Sequence, residues 1–425
     1  MARGLRTAAG KNLAQPRWTS AFQVGSGAAW LLMLIGIPVL LVGLEGSGMI
    51  DLAVYRTGGR AWLEDLSLYA KDFPGTLGGP RLPFTYPPIA AVIFGGLAVM
   101  PLWVAKTLIC AGTFLALSGT CWAVTAKFDL RTGIALPLAG TAAVLAVLSQ
   151  PFRSTLDFGQ VNAFLMVLVA VDCLAVRDRR FRGILVGLAA AIKLTPAIFV
   201  LYFILRRDWR AAITTFVSFV AFSLLGFALA PRDTMNYWFD ALLDPSRVGG
   251  LAYAYNQSLR GVLHRFDPPA SVESLLWAGL AVAVLVVAWQ AGKRAVNAGN
   301  DVGALVAIAT AGLLVSPVSW AHHWVWIAPA MLLVGWSIWR ANAWRLVPFA
   351  LAACAIFYIG PFEWLPQENN RELDWSVWEI IIGNSYAWLG IVLLVVMAYF
   401  WRYSPSEAAP AVVDEDSTPT AQGSR

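Results

Sequence analysis

Apolar residues recur down the chain in runs separated by short polar or Pro-rich breaks. Each run is about 15–24 positions long, close to the ~20 residues an α-helix needs to cross a bilayer. The pattern predicts spans at about 27–44, 103–126, 133–149, 160–176, 211–230, 272–290, 302–316, 324–339, 346–360 and 384–401. Two further runs do not read as simple crossings. "YPPIAAVIFGGLAVMP" (86–101) is short and bounded by prolines. "GILVGLAAAIKLTPAIFVLYFIL" (183–205) has basic clusters at both ends, "RDRRFR" and "RRDWR", and a polar break at Lys193–Pro196. We expect the first to lie at the outward-facing membrane interface. The second is expected to be a re-entrant pair of half-helices, because Pro removes a helix bond and irregular backbone at membrane depth is tolerated inside protein. The expected fold class is therefore all-α, a polytopic membrane protein with about 12 membrane helices counting that pair. No internal repeat of the transporter type is visible.

Charge then sets the orientation. With this topology most of the 31 Lys and Arg fall in short inner segments, as the positive-inside rule requires. Both termini are then cytoplasmic and the protein sits in the plasma membrane. The long loops, 45–102, 150–159, 231–271, 317–323 and 361–383, face outward. Four regions follow: a leader (1–24), an N-terminal membrane module (25–230) that includes the outer loop 45–102, a C-terminal set of helices and loops (231–402), and a polar tail (403–425) expected to be disordered. The first apolar run follows a basic leader without an A-x-A site, so it reads as a retained anchor.

Composition agrees with a membrane protein. The chain is 58% hydrophobic and 13% charged, with 20 Trp, a residue that gathers at membrane interfaces. The net charge of +6 is explained by loop cations, so no nucleic-acid partner is expected. Cys110, Cys121, Cys173 and Cys354 all fall inside apolar runs and read as small core residues. P-loop and Rossmann fingerprints are absent, and no inner loop is long enough for a nucleotide domain.

The chemistry-bearing residues gather in the outer loops. The first carries Asp51, Tyr55 and Arg56, then "FTYPP" with Tyr86. The second reads "QPFRSTLDFGQVN", with Arg153, Asp157, Gln160 and Asn162. The third holds "YAYNQSLRG", with Tyr253, Tyr255, Asn256, Gln257 and Arg260; its "NQS" also matches a glycosylation sequon, a common pattern that says little. The fourth is "SPVSWAHHW", with Trp320, His322, His323 and Trp324. The last, "PFEWLPQENNRELDW", is polar without a recognisable site. Each group has a structural alternative. Asp51 suits a helix N-cap as well as a base. Tyr86 before two prolines suits a helix start, and Arg153 with Asp157 suits a local ion pair. The histidines suit an interface, although two of the three His in the chain are adjacent at one helix mouth. Lys193 is harder to explain structurally, since a cation at membrane depth is expensive. No HxxxH or carboxylate spacing accompanies the histidines, so no metal is expected and a divalent cation is not indicated.

Taken in order, Asp51 in "IDLAVYR", "TYPP" (85–88), "GQVN" (159–162), "AAIKLTP" (190–196), "NQSLRG" (256–261) and "SPVSWAHHW" (316–324) resemble one family. They are similar to the actinobacterial polyprenyl-phosphate-mannose-dependent α-(1→2)-mannosyltransferases of the GT-C superfamily. The resemblance covers about residues 25–400 and rests on the six motifs together, none being specific alone. Within the family it is strongest to the enzymes that act on phosphatidylinositol mannosides; those that build lipomannan or arabinomannan share the motifs.

The resemblance implies a GT-C fold with juxtamembrane helices in the first outer loop. It implies an inverting transfer of mannose on the periplasmic side, from a polyprenyl-phosphate-mannose donor to a mannosylated phosphatidylinositol lipid, with no nucleotide sugar. Asp51 matches the family's catalytic aspartate, and a carboxylate is the right group to take the acceptor's proton. Asp157 and Glu45 are the alternative bases. The departing phosphate needs cations and donors around it; Arg260, Lys193, His322, His323, Arg153 and Arg56 are the candidates. Tyr86, Gln160, Asn162, Asn256 and Gln257 suit sugar hydroxyls, and Trp320 and Trp324 suit stacking on a sugar. Rival classes are a related arabinofuranosyl- or glucosyltransferase, a lipid flippase or transporter, and a non-catalytic scaffold. Membrane lipids are the expected surroundings, and oligomeric state is open.

Overall fold

The computed structural model describes residues 48–70, 73 and 82–401. The first apolar run (27–44), the leader, Glu45 and the tail lie outside the described residues.

Local sequence explains the first helices. Helix α1 (Ile50–Leu63) and helix α2 (Pro88–Val99) come from the segment 45–102. Pro88 starts α2, its missing N–H being one the first turn leaves unpaired anyway. The run 86–101 is thus a short helix whose Ile89, Ala90, Ala91 and Phe94 are buried. Gly59 makes the α1–α2 approach feasible: a Cβ there would lie 2.5 Å from the Phe94 carbonyl oxygen.

Next come α3 (Leu102–Thr125) and α4 (Thr132–Val147), then α5 (Gln150–Phe158). The stretch 150–159, expected as a loop, is a helix instead. Pro151 sits in its first turn, Phe152, Thr155 and Leu156 bury one face, and Gly159 at φ +70° ends it. α6 (Asn162–Ala170) runs into a π turn (Val171–Ala175). α7 (Ile184–Ile192) stops at Lys193, whose backbone is extended (φ −149°, ψ 128°). A 3-10 turn (Thr195–Phe199) and α8 (Val200–Leu205) follow, so the break expected at Lys193–Pro196 is present. The buried Asp172 carboxylate accepts from the amides of Gly183 (2.7 Å) and Val186 (2.8 Å), capping α7 from outside.

The second half comprises α9 (Trp209–Leu229), α10 (Pro231–Asn236), α11 (Leu259–His264), α12 (Ala270–Asn297), α13 (Asp301–Val315), α14 (Ile327–Arg340), α15 (Val347–Ile359), α16 (Val377–Gly383) and α17 (Ser385–Val395). No sheet occurs among the described residues; the β-type contact there is a bridge between Asn256 and Trp320.

Three helices, α3, α9 and α12, are each long and apolar enough to cross a membrane. Two bent pairs, α4–α5 (71°) and α16–α17 (66°), raise the number to five if each is one span. The other apolar helices have 10–17 residues. The hydropathy runs behind them were continuous, but Pro, Gly and polar residues break the helices inside the runs. α9 and α12 turn Phe216, Leu224, Leu275 and Val282 outward, as a lipid-facing surface requires. The protein is a multi-pass membrane protein. Cys110, Cys121 and Cys173 are buried, as expected, and Cys354 is half-buried.

Candidate active site

Asp51 sits in the first turn of α1. The N-cap position belongs to Met49 (φ 36°), and no side chain caps this helix. The cap reading of Asp51 is therefore replaced: its Oδ2 accepts from Gln160 Nε2 at 2.6 Å. A carboxylate in the first turn is still favoured by the helix dipole. Gly159 lets Gln160 come this close, because a Cβ at 159 would fall 2.7 Å from Leu52 Cβ. One turn after Asp51, on the same face, Tyr55 donates to Gln160 Oε1 (2.9 Å), with its hydroxyl 3.0 Å from that of Tyr86. The Tyr55 ring is stacked on Phe94 at 4.4 Å. Tyr69 in turn donates to the Tyr86 carbonyl at 2.6 Å. Burial pushes the Asp51 carboxyl above its ordinary range; the Gln160 hydrogen bond and the charge of Lys193 oppose that rise.

Lys193 reaches the same place from the break after α7. Its Nζ donates to Asn162 Oδ1 at 3.0 Å, lies 3.1 Å from His323 Nε2, and stands 5.4 Å above the Tyr86 ring. Asn162 Nδ2 and Thr155 Oγ1 both donate to the His322 carbonyl, at 3.1 and 3.4 Å. These bonds fix the short turn Ala321–Trp326 that carries the two histidines. Burial, aided by Lys193, holds both imidazoles well below the usual histidine range, so they are neutral.

Several buried side chains of the protein carry an unpaired polar atom, and within this cluster His322 is one. It is 5% exposed, yet neither ring nitrogen has a hydrogen-bond partner. Its ring is packed edge-on to Phe158 (5.4 Å) and His323 (4.9 Å). An orphaned buried polar group costs about 1–3 kcal/mol, so it calls for an explanation. Next to the cluster opens a narrow cleft. Asn162 and His323 form part of its polar lining; Leu165, Phe199, Leu313 and Trp326 are among its apolar walls. The arrangement offers a carboxylate for a proton, a cation and two imidazoles for an anion, and an apolar passage beside them.

The structure thus brings together Asp51, Tyr86, Gln160, Asn162, Lys193, His322 and His323. The other candidates are engaged elsewhere. Arg56 donates to the carbonyls of Leu97 and Met100, tying off the end of α2. Arg153 donates to the Leu148 carbonyl and lies over Tyr358. Arg260 pairs with Glu273 at 2.8 Å and lies over Trp277. Asn256 Oδ1 accepts from the amides of Ser258 and Ser319, and Gln257 bonds Ala254, Gly383 and Tyr386. Trp324 is buried against Phe357 and Tyr386. Trp320 packs on Tyr253. Asp157 is exposed, with Arg153 and Glu363 as its charged neighbours. Tyr55, grouped with Asp51 in the sequence but given no role there, belongs in the cluster; its spacing of four from Asp51 was the available signal. No group of three or more His, Cys, Asp or Glu among the described residues is placed to hold a metal.

Helices of membrane-crossing length, with a buried polar cluster that holds a carboxylate, define the class: a membrane-embedded enzyme with an apolar-walled cleft beside that cluster. Comparison with known proteins gives the family. The profile of Glycosyltransferase family 87 matches residues 84–317. The chain is 37% identical over 384 residues to the polyprenol-phosphate-mannose-dependent alpha-(1-2)-phosphatidylinositol mannoside mannosyltransferase of Mycobacterium tuberculosis, covering 86% of this chain and 89% of that protein. It is 36% identical over 419 residues to the protein of the same description from Mycolicibacterium smegmatis, covering 92% and 94%. A polyprenol-phosphate-mannose-dependent alpha-(1-2)-phosphatidylinositol pentamannoside mannosyltransferase from the latter organism is 32% identical over 358 residues, 83% of each chain. No solved structure matches. The chain belongs to glycosyltransferase family 87, of the GT-C class, as its motifs led us to expect.

Proposed function

We propose that the protein is an inverting α-1,2-mannosyltransferase. It moves mannose from polyprenyl-phosphate-mannose to a mannosylated phosphatidylinositol lipid on the outward, periplasmic face of the plasma membrane. In this reading both termini are cytoplasmic and about 12 membrane helices, the pair broken at Lys193 included, carry the site. The relatives' donor and acceptor supply the substrate classes.

In the reaction an acceptor hydroxyl oxygen attacks the anomeric carbon of the donor mannose. Asp51 takes the hydroxyl proton as that bond forms. The bond from the anomeric carbon to the phosphate oxygen breaks, and polyprenyl phosphate leaves with the added negative charge. Lys193 and donor N–H groups of His322 and His323 receive that charge, and do so best where they are held in place beforehand. Gln160, oriented by Tyr55, holds the Asp51 carboxylate still. Tyr86 and Asn162 line the sugar position, and the polyprenyl chain takes the apolar cleft.

The observation that carries the reading is the orphaned His322 ring, buried in the cluster that joins Lys193 to Asp51 through direct contacts and charge. The test is a transfer assay on purified protein with both lipids, followed by linkage analysis of the product. The expected product carries one added α-1,2-mannose. Movement of lipid between leaflets without sugar transfer would overturn the reading.

A further inference from the structure

The last outer loop supplies a second polar site, separate from Asp51. Glu363, in the 3-10 turn Pro361–Trp364, accepts from Tyr255 Oη (3.1 Å) and Gln150 Nε2 (2.8 Å). Both bonds fall on Oε1, which leaves Oε2 for a further donor. Tyr255 is stacked on Tyr253, with ring centroids 5.2 Å apart and planes 18° from parallel. Trp320 stands across Tyr253 at 6.0 Å and 63°. All three rings are half-buried, so parts of them face solvent. The exposed Asp157 is close enough for its charge to be felt at both Glu363 and Tyr255.

Backbone contacts hold this platform beside the reaction centre. Asn256 bridges to Trp320, and the Ala321 amide donates to the Tyr255 carbonyl at 2.8 Å. The next residue along is His322. The platform is therefore anchored to the turn that carries the histidines.

Aromatic faces take the apolar face of a pyranose, and charged carboxylates accept strong hydrogen bonds from its hydroxyls. Two carboxylates against the single nearby cation, Arg153, leave the platform net negative and poorly suited to a phosphate. We infer that Tyr253, Tyr255, Trp320 and Glu363 form a carbohydrate subsite for a non-reacting mannose of the acceptor. This rests on the mannosylated-acceptor reading above. The subsite grips an inner sugar of the acceptor while the terminal hydroxyl reaches Asp51. It gives the enzyme a preference for acceptors already carrying several mannoses, and it gives the last outer loop a role.

The experiment compares a lipid acceptor bearing several mannoses with one bearing a single mannose. The quantity read is the ratio of their kcat/KM values, which is insensitive to the fraction of enzyme that is folded. In Tyr253→Leu the ratio falls about tenfold, the scale of one lost pocket contact. Glu363→Gln, which keeps a carbonyl oxygen for Tyr255, moves it in the same direction. In the wild-type enzyme, soluble α-mannotriose competes against the longer acceptor and does not compete against the donor lipid. A wild-type ratio in both variants, or no competition by the trisaccharide, overturns the subsite. Failure to transfer mannose to any acceptor would instead overturn the function proposed above.

Discussion

Two buried polar clusters, built from similar residue types, stand side by side. In the one around Arg265 every guanidinium nitrogen is engaged. This guanidinium is 1% exposed and donates to the carbonyls of Ala252 (2.9 Å), Tyr253 (2.6 Å) and Asn256 (2.8 Å), and to Asn384 Oδ1. It also lies over the Trp375 ring. The neighbouring Glu372 carboxylate, equally buried, accepts from the amides of Ala254 and Glu368. The cluster around Asp51 is also buried and networked, but His322 is left with both nitrogens unpaired. Saturation makes a polar cluster a fastening. In the function proposed above, missing partners in a cluster that holds a carboxylate and a cation mark the place for substrate.

Substitutions break or sharpen this contrast. The largest effect is expected at Asp51. Asp51→Asn removes the base and keeps the acceptor oxygen for Gln160, so kcat falls about 10²–10⁴-fold, measured with both lipid substrates. His322→Ala removes one N–H donor from the departing phosphate; kcat falls about 10²–10³-fold, while unfolding in detergent is little changed. Arg265→Met does the reverse. It strands several carbonyls and leaves Glu372 uncompensated, lowering stability by about 3 kcal/mol or more, measured by denaturant or thermal unfolding. Tyr55→Phe keeps the stack on Phe94 and loses one hydroxyl that orients Gln160. About 1 kcal/mol is at stake there, read as a several-fold lower kcat.

The smallest effect has a definite sign. Burial raises the Asp51 pKa in the folded protein above its free value. Its charged form then opposes folding. The penalty is absent below the unfolded-chain pKa, grows as pH rises through that value, and reaches its full size above the folded-state pKa. Asp51→Asn is therefore modestly more stable than wild type at neutral pH and loses that advantage in acid, as Tm against pH will show. The same raised pKa in the free enzyme places the acidic limb of the kcat/KM profile above the ordinary carboxylate range.

Much of this was legible in the sequence, for physical reasons. Apolar run lengths and the loop cations gave a helical membrane protein, and the Lys193–Pro196 break followed from one buried cation beside one proline. Asp51, Gln160, Asn162, Lys193 and the two histidines came from ordered motifs, and the structure gathers them. What the motifs did not separate was contact with substrate from support of the frame. Asn256 and Gln257 lie in "NQSLRG" and fasten backbone, and Arg260 in the same motif is held by Glu273. Polarity alone does not say whether a side chain has found its partners inside the protein. The stretch 150–159 was read as a loop because its polar residues interrupt an apolar run. Its buried face shows only once Gln150, Phe152 and Leu156 are packed.

The central claim is that chemistry occurs at the unsaturated cluster and not at the saturated one. It is tested most directly by measuring kcat per folded molecule for Asp51→Asn and Arg265→Met in the same transfer assay. The account predicts that Asp51→Asn is folded and nearly inactive, whereas the folded fraction of Arg265→Met transfers mannose at close to the wild-type rate. Wild-type transfer by Asp51→Asn would contradict it.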